Sequence, residues 1–525
     1  MHSIIGLKRN KDKKGSKMKH YTNLLSLTLY FTALSLSLAC IGCSDSDESG
    51  NLSFKVTNSG SPAEPQIFIP EATKNIKLEV FQEPSVTGKK VAFSNSAASE
   101  SNNSQANSTA KTASELADEG KTLYALGTSS NDKDKKNNEG KTYYSTSVAY
   151  NGGEPELSLD NIQDGDWVVR VSALDNNNNV LAYYQNGLTI NGGNRSVKGW
   201  LQPGVAPSGY LYAAHTANST ISRISLYSNL IDSIKLNSGN PAYLFAKHTE
   251  KPSFSDIFYA TTGGLKILQL TPSFVDKKID VEDISFPTDG AFVRSSQSGD
   301  SAAVSFFREG LVRFFDFNQA SNYDYVYTGS GANYISQLTN NSQVWVCNEN
   351  EYDLSLVDIN SHSLVYEDNL RLGGDVPKAA EPNNDNTKVW VIGTRSSGGF
   401  IRAVDFSNHD MGGRNWGEFT TDLSNPGAIY LASESLGCVT DNTRGELIFL
   451  KTDNLDEQGN IDEVFGKSGS RLRLQGGGDQ ILSDGTRLYI LQISQGKVAV
   501  VDLETKAIST SYNLGSNARS LMFVD

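Results

Sequence analysis

The side chains of this chain best suited to chemistry are polar residues set in short turns between apolar runs of its second half. They are His215, Arg308, Glu309, Asn348, Glu349, Asn350, Arg395, Asp441, Asn442, Arg444 and Gln495. Arginines and amides beside carboxylates suit a polar ligand such as a glycan or a peptide, which needs several directional hydrogen bonds at once. His215 or the carboxylates could also act as acid–base groups in a hydrolase, lactonase or lyase. The plainer reading of the same residues is solvated turns. No motif selects a reaction. There is no Gly-rich phosphate loop, no His-Glu-x-x-His, no Cys-x-x-Cys-His and no Gly-x-Ser-x-Gly. Besides His2 and His20, the histidines are His215, His248, His362 and His409, scattered without metal-ligand spacing. Neither a metal nor a cofactor is expected, and the reading inclines to a binding protein rather than an enzyme.

The elements that would position these residues must come from a chain large enough for more than one core. At 525 residues and 38% hydrophobic composition, two domains or more is the expectation. The net charge is −13, and the first 39 residues carry seven Lys/Arg against one Asp, so the remainder stands near −19. A surface that acidic repels phosphate backbones, which excludes nucleic acid as a natural partner.

The N-terminus reads as an export signal. Lys8, Arg9, Lys11, Lys13, Lys14, Lys17 and Lys19 precede an apolar run from Leu24 to Ala39, short for a membrane-spanning helix. Met18 is a second possible start. The run ends Leu36-Ser37-Leu38-Ala39-Cys40-Ile41-Gly42-Cys43, which resembles the lipobox of bacterial lipoproteins. That resemblance implies a lipid on Cys43 or Cys40, a signal peptide over 1–43 and an anchor in the cell envelope. Cys43 is preferred because a Ser/Asp-rich tether, 44–60, begins right after it. Ile or Ser rather than Asp after either Cys favours an outer membrane, with the chain periplasmic or on the cell surface. The partners to expect are the membrane, through the lipid, and an envelope protein or a glycan.

The second half is built from an internal repeat. From Val344 the chain runs Val-Trp-Val-Cys-Asn-Glu-Asn-Glu-Tyr-Asp-Leu-Ser-Leu-Val-Asp, then a Gly-Gly-Asp-Val-Pro turn at Gly373–Pro377, and a new unit opens at Lys388. The Val-Asp step recurs at Val357-Asp358, Val404-Asp405 and Val501-Asp502, with Phe315-Asp316 as a variant. Each Asp ends a strand and can accept backbone N–H groups in the next turn, so it reads as turn punctuation rather than catalysis. The pattern resembles the YVTN-type β-propeller repeat, which implies an all-β fold. Seven units fit over 207–525, while six or eight remain open. Second strands begin near Tyr210, Ile257, Ala302, Val344, Val389, Leu436 and Leu488. Because the chain enters on a second strand and ends on an inner strand at Ala518–Val524, the C-terminal strand should close the ring. Turns between second and third strands would then bring the polar residues named above to one end of the channel. The adjacent cysteines and tryptophan repeats of quinone-dependent propeller dehydrogenases are absent. Cys347 and Cys438 fall on non-adjacent blades, so two free, buried thiols are expected.

The stretch 61–203 is β-rich without a propeller-length period. Asn75–Phe81 and Trp167–Ala173 alternate as strands, and the step from Asp164 looks like a hairpin of immunoglobulin-like or fibronectin-like sandwiches. Asp175 to Asn179 reads as a hairpin turn rather than a calcium loop, which needs spaced acidic ligands. The stretch 94–141, rich in Ser, Asn, Ala and Lys, buries too little to offset its ordering entropy and reads as a disordered insert. Leu201–Ser208, with its prolines, reads as the linker.

Overall fold

The computed structural model describes residues 49–56, 69–83, 142–199 and 201–524, the last with gaps at 237–238, 247–255, 262–263, 270–274, 279–286, 296–298, 317–320, 339–341, 407–413, 420–422, 456–460 and 464–469. The expected signal peptide, Cys40, Cys43 and the insert 94–141 lie outside the described residues. Every described element but one 3₁₀ turn, Ile493–Gln495, is a β-strand. No helix among the described residues is long and apolar enough to cross a membrane.

The first eight strands form two sheets. They are β1 (Ser49–Val56), β2 (Asn75–Phe81), β3 (Tyr143–Ala149), β4 (Glu156–Gln163), β5 (Gly165–Leu174), β6 (Val180–Ile190), β7 (Gly193–Gly199) and β8 (Gln202–Pro203). One sheet runs β4-β1-β7 and the other β3-β2-β5-β6-β8. Alternation does the sorting: Leu52, Phe54 and Val56 from β1 meet Ile76, Leu78 and Val80 from β2 in one core, with Trp167 and Val169 from β5. The reading of 44–60 as a tether therefore needs correction, because Ser49–Val56 is a strand of this sandwich, paired with β4 and with β7. The linker is also less free than expected: Gln202–Pro203 pairs with β6. Asp175 makes the hairpin turn, its carboxylate accepting the N–H groups of Asn177 (2.7 Å) and Asn179 (2.8 Å).

The remaining strands form seven sheets, each with four consecutive positions from an inner strand outward. We number them as blades 1–7. Their inner strands are Ala518–Val524, Pro241–Ala246, Pro287–Ser295, Ala332–Gln337, Val376–Pro382, Pro426–Leu431 and Gln480–Ser483, in that order. Second strands begin at Tyr210, Asp256, Gly299, Gln343, Lys388, Leu436 and Arg487. Each inner strand packs beside the next, and that of blade 7 packs beside that of blade 1. The C-terminal strand pairs with Tyr210–His215 from Ala518↔His215 to Val524↔Tyr210, so the blade begun at Tyr210 is finished by the chain's last residues.

Burial explains the strand chemistry. The second and third strands face neighbouring blades on both sides, so strands such as Tyr210–His215 and Arg487–Gln492 are buried along their whole length. Outer strands such as Ala507–Asn513 are mostly exposed. The turn Asp residues work as expected. Asp358 accepts the N–H of Asn360 (2.9 Å) and Ser361 (2.8 Å), and Asp502 that of Thr505 (2.7 Å). Cys347 and Cys438 are free and buried.

An inner strand has a channel-side edge with no partner strand, and its polar backbone must be satisfied some other way. The preceding blade does it with side chains. Asp289 accepts the N–H of Ile335 (3.0 Å), Ser520 that of Leu244 (3.2 Å) and Gln480 that of Leu521 (2.6 Å). These bonds tie blade to blade at the centre of the ring.

Candidate functional site at the channel mouth

Turns between second and third strands meet the segments that lead into the inner strands. Glu349 N–H donates to Gly331 O (2.9 Å), Asn442 N–H to Asn425 O (2.8 Å) and Thr216 N–H to Asn517 O (3.0 Å). These two sets of loops therefore build one end of the propeller, and the residues singled out from sequence are distributed within it unevenly.

Several of them are consumed by architecture. Asp441 is fully buried and accepts N–H groups from Ser424 (2.7 Å), Asn425 (3.3 Å), Thr443 (3.0 Å) and Arg444 (3.2 Å). Asn348 is also fully buried, its amide within reach of Thr328 O, Asp353 Oδ1 and Ser355 Oγ. His215 is buried at the end of its strand with Nε2 2.8 Å from Ser222 Oγ. Burial holds its pKa below the usual histidine range. Asn442 donates to Asp479 Oδ1 (3.0 Å) and accepts from Gly478 N–H (2.7 Å), fastening blade 6 to the segment entering blade 7.

Others stay within their own blades. Glu309 takes Arg313 (2.8 Å), and Arg395 pairs with Glu418 and lies 5.0 Å from the centre of the Phe400 ring. Asn350 reaches Ser330 Oγ (3.2 Å). Arg444 is exposed, 3.8 Å from Asp441, while Arg308 and Gln495 are exposed in their turns.

What the loops bring together is a smaller group. Lys378, near the start of the inner strand of blade 5, donates to Asn425 Oδ1. Burial lowers its pKa, opposed by the nearby charges of Glu349, Asp479 and Asp441. Glu349 in turn accepts from Asn333 Nδ2 (3.0 Å), whose Oδ1 is buried without a hydrogen-bond partner. A half-buried ammonium, two amides and three carboxylates thus meet at this end of the propeller, where Asp441 and Asn442 pin the segments that carry Asn425 and Asp479. Of this group Glu349 and Asp441 are legible from the repeat, whereas Asn333, Lys378, Asn425 and Asp479 are not. Their signal is position: each lies within two residues of the start of an inner strand.

A second missed group lies on the inner strands of blades 2 to 5. Tyr334 donates to Glu381 Oε1 (2.6 Å), and Tyr243 shares a hydrogen bond with Asp289. Burial pushes the carboxyls of both Asp289 and Glu381 up to about 7, against the lowering pull of their hydrogen bonds. Either carboxyl can therefore hold or release a proton near neutrality. Among the described residues, no group of three or more His, Cys, Asp or Glu is placed to hold a metal ion.

No family model and no curated relative matches this sequence. Solved structures do resemble it. One is a protein from Lactobacillus plantarum (12% identity, 61% of this chain and 99% of that one, TM-score 0.48). Another is a Bacteroides fragilis protein provisionally named a 6-phosphogluconolactonase (11% identity, 62% and 100%, TM-score 0.48). A third is the β-propeller domain of Cps50 (Swd1) from Myceliophteria thermophila (11% identity, 56% and 90%, TM-score 0.40). The fold rests on strand pairing: among the described residues nearly every element is a strand, seven sheets have four blade positions each, and the C-terminal strand pairs with Tyr210–His215.

Proposed function

We propose that this chain is a cell-envelope lipoprotein that binds a polar ligand, a glycan or a peptide, at the mouth of its propeller channel. The observation that carries the reading is the grouping of Lys378, Asn333, Asn425 and Glu349 on pinned loops. Donors and acceptors held by neighbouring hydrogen bonds lose little freedom when a ligand arrives. The lipid anchor on Cys43 or Cys40 and the immunoglobulin-like kinship of the sandwich, which would act as a spacer, belong to the same proposal and rest on the sequence. Radiolabelled palmitate incorporation in cells tests the anchor. Label should persist in one single Cys→Ala variant and vanish when both Cys40 and Cys43 are replaced. A glycan and peptide array probed with the full chain tests the site. Signal should be lost with Lys378→Met, and equal signal from the variant would overturn the assignment.

Asp289 and Glu381 favour a second reading, an exported hydrolase, lactonase or lyase, because a carboxyl that titrates near neutrality can serve as acid or base. Turnover of a lactone or glycoside that Asp289→Asn and Glu381→Gln both abolish would establish it.

A further inference from the structure

A cleft of about 290 Å³ opens between the sandwich and the second, third and fourth strands of blade 7. Its walls include Tyr183 and Tyr184 from β6, Gln202 from the linker, and Arg487 and Tyr512 from blade 7, with Lys198 among its lining residues. We propose that this cleft binds one neutral sugar ring, free or at the end of a chain.

Size and lining choose the ligand class. The volume lies at the small end of ligand sites, enough for a single ring. Among the lining tyrosines Tyr184 keeps partly exposed ring surface for the C–H face of a pyranose, while the exposed Asn186 and Thr510 beside it can meet its hydroxyl groups. Charge argues for a neutral occupant. Arg487 is spent within the protein: it pairs with Asp484 (3.4 Å), donates to Val205 O and lies 5.2 Å from the centre of the Tyr183 ring. The same Asp484 oxygen also accepts the Tyr489 hydroxyl (2.8 Å). Lys198, the other cation of the lining, is exposed to water.

The walls are built in advance. The Tyr183 hydroxyl is held by Gln202 Oε1 (3.1 Å) and the Tyr512 hydroxyl by Asn229 Oδ1 (2.8 Å). Tyr184 rests against Phe54, with ring centres 4.9 Å apart, and against Gly199, where any side chain would meet its ring at 2.5 Å. The domains are fastened beside the cleft by Gln185, which donates to Pro207 O (3.0 Å) and Leu226 O (2.8 Å). A polar, aromatic hollow is left between these tied walls.

The test titrates the purified full chain with the methyl glycosides of glucose, galactose, mannose and N-acetylglucosamine, followed by calorimetry. Thr510→Trp fills the hollow from an exposed position of the lining, and Gln202→Leu removes an amide at constant size. Lys378→Met, which removes any binding at the channel mouth, is the background in which the two cleft substitutions are compared. Saturable binding of at least one glycoside is expected in that background, weakened roughly tenfold or more by each cleft substitution. No binding in that background by a folded chain, or binding that both cleft substitutions leave intact, overturns the proposal. A failure of the channel-mouth reading alone would leave the cleft result standing.

Discussion

Replacing the two buried carboxyls of the inner strands by their amides should flatten the dependence of stability on pH. Burial raises Asp289 from 3.8 and Glu381 from 4.5 to about 7, so the folded chain keeps protons that the unfolded chain gives up. The sign follows from linkage: stability conferred by these groups is full below about pH 4, declines as pH rises, and is gone above about pH 7. Each carboxyl contributes a slope of up to about 1.4 kcal/mol per pH unit in that window. Between pH 5 and 7 the loss is about 2 kcal/mol for each, allowing for half-titration at the upper end. Two such groups shift the melting midpoint by several degrees, at about 2 °C per kcal/mol for a chain of this size. Asn at 289 can still accept the Ile335 N–H, and Gln at 381 can still accept the Tyr334 hydroxyl, so blade contacts survive the exchange. The assay is thermal unfolding of wild type and of the Asp289→Asn/Glu381→Gln double variant at pH 5, 6, 7 and 8. Parallel curves would refute the reasoning, since they would mean that both carboxyls are already ionised at pH 5.

Asp441→Ala leaves four backbone donors without their acceptor and should cost about 2–4 kcal/mol in denaturant unfolding, with loss of order in the loops around Lys378. Gly199→Ala drives a methyl into the Tyr184 ring and should destabilise by about 1–3 kcal/mol, read as a lower midpoint. Deleting 518–525 removes the inner strand of blade 1, exposes the edge at Tyr210–His215 and should yield aggregated chain on size-exclusion chromatography.

The ring was legible because its signal is redundant. Seven second strands announce themselves as apolar runs, and a misread turn in one unit is corrected by the period of the others. Ser49–Val56 had no such support. Its alternation of Leu52, Phe54 and Val56 is visible, but it follows a Ser/Asp-rich lead-in and stands far in sequence from its partners β4 and β7. Asp289 was hidden for a related reason, since Thr288-Asp289-Gly290 has the composition of a solvent turn. Glu381, next to Pro382, is disguised in the same way. Composition cannot distinguish an Asp that punctuates a turn from one that caps a strand edge in the middle of a ring.

That ambiguity also bears on where ligands should be sought. A polar side chain in a propeller turn first answers a local need, because each turn leaves backbone N–H groups that something must accept. Asp441 meets that need so completely that it has no exposed surface left for a ligand. Asn442 does the same between blades 6 and 7. The residues with capacity to spare are those one step removed, placed by the pinned loops rather than pinning them: Asn333, with a buried oxygen lacking a partner, and Lys378, an ammonium only partly compensated. The same logic holds at the cleft, where Arg487 is spent on Asp484, Val205 and Tyr183 so that the tyrosine faces stay in place. In both places the most strongly bonded residues build the wall, and recognition falls to their neighbours.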